Sequence, residues 1–446
     1  MRALVVSYVF PPTGGAGVGR PLKLVKYLGR HGVQASVLTA ANPSVPVQDQ
    51  SLLRDVPRDV EIERVRTFEP GYAVKRVGWA GSGPAGATNG GGPSLRQRAL
   101  RWAVGAGKQA LVPDPQVLWQ PAAQVALGRR LARGADDVIL ISAPPFSQFM
   151  LAPLARVRPG VGVVLDYRDE WSTVREVYEM NASLPARAGA AMETLLLRSA
   201  HMVTTATEAF RQNLLTRFSF LHPDQVVAIP NGYDPDDFPA TLPGPPGDAR
   251  ELTVTYAGTI FKLTSARGLL GAVRRLHQAE PELARRLRVR FLGRIVETEL
   301  ETYEGTEALG VERLGYLPHD EITRALAASH IALCLLDEAP FVERIYPAKI
   351  FELMYLAKTF GLRVLTLSPP GVLADLVAAH RVGPLLAPRD EEAIAAFLAA
   401  ELRAFVAGQR PPAPAPVDVA RYDRQATAGE FARVMSLARA RAGARN

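Results

Sequence analysis

Short apolar runs recur along this chain, each followed by a stretch with helical spacing, and that alternation leaves few folds open. Ala3 to Val9, Val33 to Thr39, Asp137 to Ser142, Gly162 to Asp166, His201 to Thr205 and Val226 to Pro230 are such runs. They lack the in-out alternation of a strand with one wet face, so both faces must be covered, as in a parallel sheet between helices. Val60 to Arg66 alternates like a strand. The pattern restarts at Leu252 to Tyr256. It continues through Arg288 to Leu292, Arg313 to Tyr316, Ile331 to Leu336, Val364 to Ser368 and Val382 to Leu386. The 446 residues exceed what one ordinary core holds. Pro239 to Asp248, rich in Pro and Gly, is the clearest break. We therefore expect an α/β chain with an N-terminal domain over 1–238, a linker over 239–248 and a C-terminal domain over 249–417, with a cleft between the two domains. A last helix, Tyr422 to Ala440, follows the stiff spacer Pro411 to Pro416, so the segment 418–446 can cross back to the first domain.

Composition narrows the partners. The net charge of +8 favours anionic ones: a nucleotide, a phospholipid surface or nucleic acid. The charges are spread out and no nucleic-acid motif is present, so nucleic acid is not expected. The single cysteine, Cys334, rules out an intrachain disulfide framework and lies in an apolar run, where a thiol is buried and inert. No Cys/His cluster has metal-ligand spacing, so no metal centre is expected. The apolar runs fall short of the roughly 20 residues of a membrane span. The start reads as a first strand rather than a cleaved leader, which implies a cytoplasmic protein. One feature brings in a membrane surface. After the Gly/Ala/Ser-rich stretch Gly78 to Pro93, Leu95 to Val112 carries Leu95, Ala99, Trp102 and Ala106 at helical spacing, with Arg96, Arg98, Arg101 and Lys108. It is either an ordinary surface helix or one that rests on anionic lipid at the inner face of the plasma membrane.

Three stretches carry chemistry. Pro11 to Arg20 follows the first strand and contains Gly14, Gly15, Gly17 and Gly19. Such a turn lets backbone N–H groups approach a diphosphate at a helix start. It is only part of a dinucleotide fingerprint, and the second strand ends in Thr39-Ala-Ala-Asn42 without an acid for a ribose, so no nicotinamide or flavin is expected. Asp166-Tyr-Arg-Asp-Glu-Trp171 ends a strand. Its Asp166, Arg168 and Asp169 either meet a polar substrate or form a buried ion pair bracing the loop. In Arg344-Ile-Tyr-Pro-Ala-Lys-Ile-Phe-Glu-Leu-Met354, Pro347 suits a first helical turn. Lys349 and Glu352 then share one face. Lys349 would add charge to a phosphate site and Glu352 would accept from a ribose diol. The alternative is a surface pair between the two.

In this order across nearly the whole chain, the glycine loop, Ile229-Pro-Asn-Gly-Tyr233, Val254-Thr-Tyr-Ala-Gly258 and Tyr346-Pro-Ala-Lys-Ile-Phe-Glu352 resemble family 4 glycosyltransferases. Pro113-Asp114, Trp119, Ser142-Ala-Pro-Pro-Phe-Ser147 and Asp166 to Trp171 resemble a bacterial branch that builds surface or secondary-metabolite glycans. The resemblance implies the GT-B fold: two Rossmann-like domains facing each other across a cleft. It further implies a nucleotide-sugar donor, retention at the anomeric carbon, and neither metal nor cofactor. Residue by residue, it implies Gly14 and Gly15 at the donor diphosphate, with Arg267 and Lys349 holding it. Glu352 would lie on the ribose, and Gly293, Arg294 and Leu314 to Tyr316 at the base. Asp169, Arg168, Arg267 and Lys349 are the candidate catalytic groups. Gly258, Thr259, Lys262, Glu343 and Tyr346 complete the candidate donor site.

This chain also departs from the family pattern. Arg344 stands where the first of two glutamates is found, with Glu343 beside it as a substitute. Thr259 stands where a basic residue often follows the glycine, with Lys262 three positions on. Ser142 to Ser147 has no counterpart of a first-domain histidine. The expected activity is transfer of a sugar to a glycan, lipid-linked or small-molecule acceptor. The alternatives are a nucleotide-sugar epimerase of the same fold and an inactive nucleotide-sugar-binding scaffold.

Overall fold

The computed structural model describes residues 1–15, 17–45, 47–71, 111–171, 184–409, 412 and 415–444. Two compact units emerge: Met1–Pro230 with Thr427–Asn446, and Asn231–Ala426. The first holds strands β1 (Arg2–Val6), β2 (Gln34–Ala40), β3 (Glu61–Val65), β4 (Val138–Ala143), β5 (Gly162–Tyr167), β6 (Met202–Thr205) and β7 (Val226–Ala228). They form one parallel sheet in the order β3-β2-β1-β4-β5-β6-β7. Its helices are α1 (Gly19–Leu28), α2 (Gln120–Arg133), α3 (Leu184–Leu197) and α4 (Glu208–Arg217). The second unit holds β8 (Leu252–Ala257), β9 (Leu287–Leu292), β10 (Val311–Gly315), β11 (Ile331–Leu335), β12 (Arg363–Leu367) and β13 (Leu385–Leu386). These too are parallel, in the order β10-β9-β8-β11-β12-β13. The helices here are α5 (Arg267–Ala279), α6 (His319–Ala327), α7 (Lys349–Phe360), α8 (Val372–Ala379) and α9 (Glu391–Val406). A last helix, α10 (Arg424–Gly443), ends the described chain.

The apolar runs became strands buried on both faces: every residue of β4, β5 and β8 is buried. Cys334 lies in β11, and burial pushes its thiol up to about 12, which keeps it inert. The first strand is shorter than its apolar run. After Val6 the chain still meets β2, Ser7 N–H reaching Leu38 O at 3.1 Å and Tyr8 O accepting from Ala40 N–H at 3.3 Å, but the Tyr8 N–H goes to Gln148 Oε1 at 2.6 Å. The basic helix expected over Leu95 to Val112 lies, but for its last two residues, outside the described residues. Among the described residues no helix is long and apolar enough to cross a membrane.

The division between units falls at Pro230/Asn231 and not within the Pro-rich stretch 239–248. Aromatic anchors explain this. Tyr233 stacks on Tyr355 of α7 at 4.6 Å and Phe238 lies 4.9 Å from the same ring, so the residues before the stretch join the second core. On the return path Tyr422 packs against Phe351 at 4.7 Å and meets His380 Nε2 at 2.9 Å. Beyond it α10 enters the core of the first unit, where Phe431, Val434, Met435 and Ala438 lie among Val5, Val37 and Leu140. Gly162 makes that approach close, since a Cβ there would lie 2.7 Å from Arg439 N.

One buried ion pair ties the first unit together. Arg20 of α1 holds Asp166 of β5 with two hydrogen bonds, Nε to Oδ2 at 3.1 Å and a second at 2.8 Å. Ser142 of β4 donates to the same carboxylate at 2.7 Å, and Thr204 of β6 at 2.8 Å. Arg20 also donates to the carbonyls of Ile229 and Pro230 and sits over Phe431 of α10 at 4.8 Å. Burial pushes the Asp166 carboxyl up, but the Arg20 charge and the three side-chain donors outweigh it and hold it below its ordinary value. Removing either partner strands a buried charge, a loss of about 3–5 kcal/mol. Arg20→Met and Asp166→Asn should therefore each lose that much in urea unfolding. The sign with pH follows from the depressed carboxyl. Its contribution is present above the unfolded value of about 3.9 and lost as pH falls through the folded one. Asp166→Asn should flatten this acid limb of the wild-type stability profile.

Candidate functional site

In open parallel sheets a ligand crevice forms at the carboxyl ends of the strands, where the strand order reverses. In the second unit that point is β8, flanked by β9 and β11. The loop leaving β8 carries Gly258, Thr259 and Lys262 and runs into α5 at Arg267. The loop leaving β11 carries Glu343, Arg344 and Tyr346 and runs into α7 at Lys349. The two loops touch through Asp337 N–H to Leu263 O at 2.7 Å. Chain order thus brings together residues that lie nearly a hundred positions apart.

Backbone fit fixes the loop leaving β8. Gly293, after β9, has φ 126°, and a Cβ there would lie 2.2 Å from Gly258 O. Ile260 N–H reaches Arg294 O at 2.8 Å and Gly293 N–H reaches Gly315 O at 2.6 Å, which closes the three loops onto one another. Thr259 O takes hydrogen bonds from Tyr256 Oη at 3.2 Å and Thr264 Oγ1 at 2.7 Å, so its own side chain is left exposed. Lys262 and Arg267 are exposed, and among the described residues neither is in an ion pair. Arg267 opens α5, which has no side-chain cap and no acid in its first turn. Helix α5 packs close against the turn before α9, since a Cβ on Gly268 would lie 2.0 Å from Pro388 O. The neighbouring Arg389 is already neutralised by Asp337, at 3.0 and 3.3 Å. Sequence reading missed Arg389; it lies in a turn before α9, with no local pattern to mark it.

Helix α7 starts at Lys349, with Pro347 two residues earlier, its carbonyl accepting from Ile350 N–H at 3.1 Å. Lys349 and Glu352 do share one face, and they pair with each other at 3.0 Å, both about a quarter exposed. The salt bridge is thus the geometry of the resting protein, and a ligand would have to compete for it. Tyr346 is half-buried, edge-on to Phe351 at 5.2 Å. Glu343 is exposed and lies 3.8 Å from Arg344, whose guanidinium rests on Phe341 at 4.7 Å. The Gly371 turn after β12 presses on the Glu343 backbone, where a Cβ would lie 2.5 Å from Glu343 Cα. Arg294 is exposed and reaches Glu297 at 3.4 Å.

In the first unit the reversal point is β1, between β2 and β4. Gly14 is buried, its N–H on Val47 O at 3.0 Å. Gly15 is exposed with φ 100°. The strand-end cluster divides. Asp166 is the braced partner of Arg20, a residue that sequence reading missed. An arginine on the otherwise apolar face of α1, directly after Gly19, was the available signal. Arg168 is buried and donates to Gly17 O and Pro144 O. Asp169 is exposed.

Residues 14–232 match the family model described as a glycosyl transferase 4-like domain. No curated protein matches the chain. Among solved structures, HepE of Anabaena in complex with UDP and glucose is 14% identical, covers 98% of this chain and 99% of its own, and has a TM-score of 0.60. Sucrose-phosphate synthase from Thermosynechococcus elongatus is 16% identical, with coverage of 100% and 94% and a TM-score of 0.56. WaaG, a glycosyltransferase involved in lipopolysaccharide biosynthesis, is 14% identical, with coverage of 99% and 98% and a TM-score of 0.52.

The glycine contact in the second unit gives a direct check. Gly293→Ala adds a side chain at φ 126° against a backbone carbonyl. The strain should cost about 1–3 kcal/mol. Chemical unfolding of the Gly293→Ala variant should report that loss.

Proposed function

We propose that this chain, a glycosyltransferase with a glycosyl transferase 4-like domain and the GT-B fold, binds its nucleotide-sugar donor at the carboxyl end of the second sheet and transfers the sugar with retention and without metal. The observation that carries the reading is the pair of cationic helix starts at the reversal point, Arg267 on α5 and Lys349 on α7. Breaking a sugar–phosphate bond develops charge on the leaving diphosphate. Guanidinium, ammonium and helix N-termini can stabilise that charge in place of a metal ion. Lys262, exposed on the adjoining turn, adds a third cation.

In this reading the arriving diphosphate takes Lys349 from Glu352. The freed carboxylate turns to the ribose hydroxyls. Gly258, Thr259, Gly293 and Arg294 border the nucleoside, and Glu343 and Tyr346 border the sugar. In the first unit Gly14 and Gly15 lie in the loop after β1, at the carboxyl end of that sheet. Asp169 is the exposed carboxylate there and meets the acceptor. The departing phosphate oxygen takes the acceptor proton, so no second carboxylate is needed as base. That HepE was solved with UDP and glucose makes a uridine nucleotide the first donor to test. The acceptor is a glycan, a lipid-linked sugar or a small molecule, reached in the cytoplasm or at the inner membrane face.

Arg267→Ala and Lys349→Ala should each weaken nucleoside diphosphate binding by about 1.5–3 kcal/mol, the usual worth of a charged hydrogen bond. Titration calorimetry showing both affinities unchanged would remove the site from consideration. Sugar transfer should also survive excess chelator; dependence on manganese or magnesium in a steady-state assay would contradict the metal-free mechanism.

A further inference from the structure

The loop leaving β11 carries an arginine in an unusual seat. Arg344 comes shortly before Lys349, at the carboxyl end of the second sheet and beside its reversal point. Its guanidinium rests on the ring of Phe341 at 4.7 Å. Phe341 has φ 64° and is one of three non-glycine residues with positive φ among the described residues. A bulky residue holds such a backbone only where its surroundings impose it. Here they do. Val342 is buried, Arg344 N–H reaches Phe341 O at 3.3 Å, and the Gly371 turn presses on the Glu343 backbone. Asp337 N–H ties the start of the loop to Leu263 O. The arginine is thus carried on a fixed base.

Other charges on this loop are closely matched. Asp337 is buried and fills the fork of Arg389 at 3.0 and 3.3 Å, and Glu338 lies 3.3 Å from the same guanidinium. Lys349 pairs with Glu352 at 3.0 Å. Glu343, the carboxylate next to Arg344, stands 3.8 Å from it with 52% of its side chain in solvent. That is beyond hydrogen-bond distance, and a contact so exposed is worth little. Asp337 in the fork of Arg389 shows what a guanidinium does here when a carboxylate reaches it. A guanidinium stacks on a ring through one face, while its N–H donors lie in its plane, at the edge. It has five donors and no acceptor, so it cannot accept from a sugar hydroxyl. The group that matches its fork with two parallel bonds is a carboxylate or a phosphate. The phosphates of a nucleotide are already assigned to Arg267 and Lys349, which leaves the carboxylate.

We propose that Arg344 sets the class of donor sugar, and that this sugar is a uronic acid whose carboxylate takes the Arg344 fork. The proposal deepens the donor reading above and rests on it. In that reading Glu343 and Tyr346, which flank Arg344 in the loop, border the sugar. Glu343 accepts from the sugar hydroxyls and Arg344 donates to the carboxylate. A neutral hexose offers the guanidinium only a hydroxyl oxygen at that place.

The test is calorimetry on the full chain with UDP, UDP-glucose and UDP-glucuronate, on wild type, Arg344→Gln, Arg344→Glu and Arg344→Lys. The readout is the ratio of the affinities for the two sugar nucleotides, which cancels any general loss at the nucleotide. Wild type should bind UDP-glucuronate at least about tenfold more tightly than UDP-glucose, as a charged hydrogen bond allows. Arg344→Gln should remove that preference, and Arg344→Glu should turn it towards UDP-glucose. Arg344→Lys keeps the charge but not the fork, so its ratio should fall between wild type and Arg344→Gln. The two sugar nucleotides share base and diphosphate, so added salt acts on the ratio through the extra carboxylate and should narrow it in wild type. Two results overturn the proposal: a wild type that binds UDP-glucose at least as tightly as UDP-glucuronate, and a preference for UDP-glucuronate that survives in folded Arg344→Gln. Where the variants do not fold, the wild-type ratio and its salt dependence decide. UDP binding with no preference between the sugars overturns this proposal alone and leaves the donor site standing. A wild type that binds none of the three overturns this proposal and the uridine-donor reading together.

Discussion

The first unit depends on a single carboxylate. Asp166 gathers α1 through Arg20, β4 through Ser142 and β6 through Thr204, and the same guanidinium fastens the end of β7. Four strands and a helix from distant parts of the chain are thereby registered at the sheet end where a ligand crevice forms. A buried pair of this kind adds little net stability over an apolar packing, but it admits only one arrangement of its donors. It also has a consequence next door. With Asp166 occupied by Arg20, Ser142 and Thr204, the second arginine of the strand end donates to carbonyl oxygens, with the Asp169 charge nearby. Two arginines within reach of one acid thus have different partners, a carboxylate for Arg20 and carbonyl oxygens for Arg168.

The second unit reaches its geometry by a different route. Backbone contacts organise most of its crevice, joined by the buried Asp337 that holds Arg389. Gly258 against Gly293, and Gly268 against Pro388, bring loops and helix starts together at distances that a single methyl group would forbid. The cations there stand at the surface on a rigid base. That suits a site that must hold a diphosphate while its charge grows, because the donors need not reorganise at that moment.

Much of the architecture is legible in the amino acids. Parallel strands covered on both faces need unbroken apolar runs, and those runs announce β1, β2, β4, β5, β8 and β11. Their order also predicts where each loop emerges. Pairing between distant side chains is not legible. Asp166 looks as if it should pair with Arg168, two residues away; its partner is Arg20, 146 residues off. The unit boundary misleads for a similar reason. Pro239 to Asp248 has the composition of a linker, but Tyr233, Phe238 and Tyr422 are claimed by rings on α7. For Lys349 and Glu352 the spacing yields a shared face and nothing more. Whether the two meet each other or a ligand depends on what occupies the crevice.

The placement of α10 has a bearing on how the chain is made. The first unit takes Phe431, Val434 and Met435 into its core, so it draws on both early and late parts of the sequence. The second unit is one continuous stretch, Asn231–Ala426. During synthesis the N-terminal strands emerge first but cannot complete their core until the ribosome has passed Met435. The continuous unit, begun later, has all its parts sooner. The usual order in which the leading domain finishes first is thus inverted. Until then the apolar face awaiting α10 is left uncovered on the nascent chain, a surface for chaperones to guard.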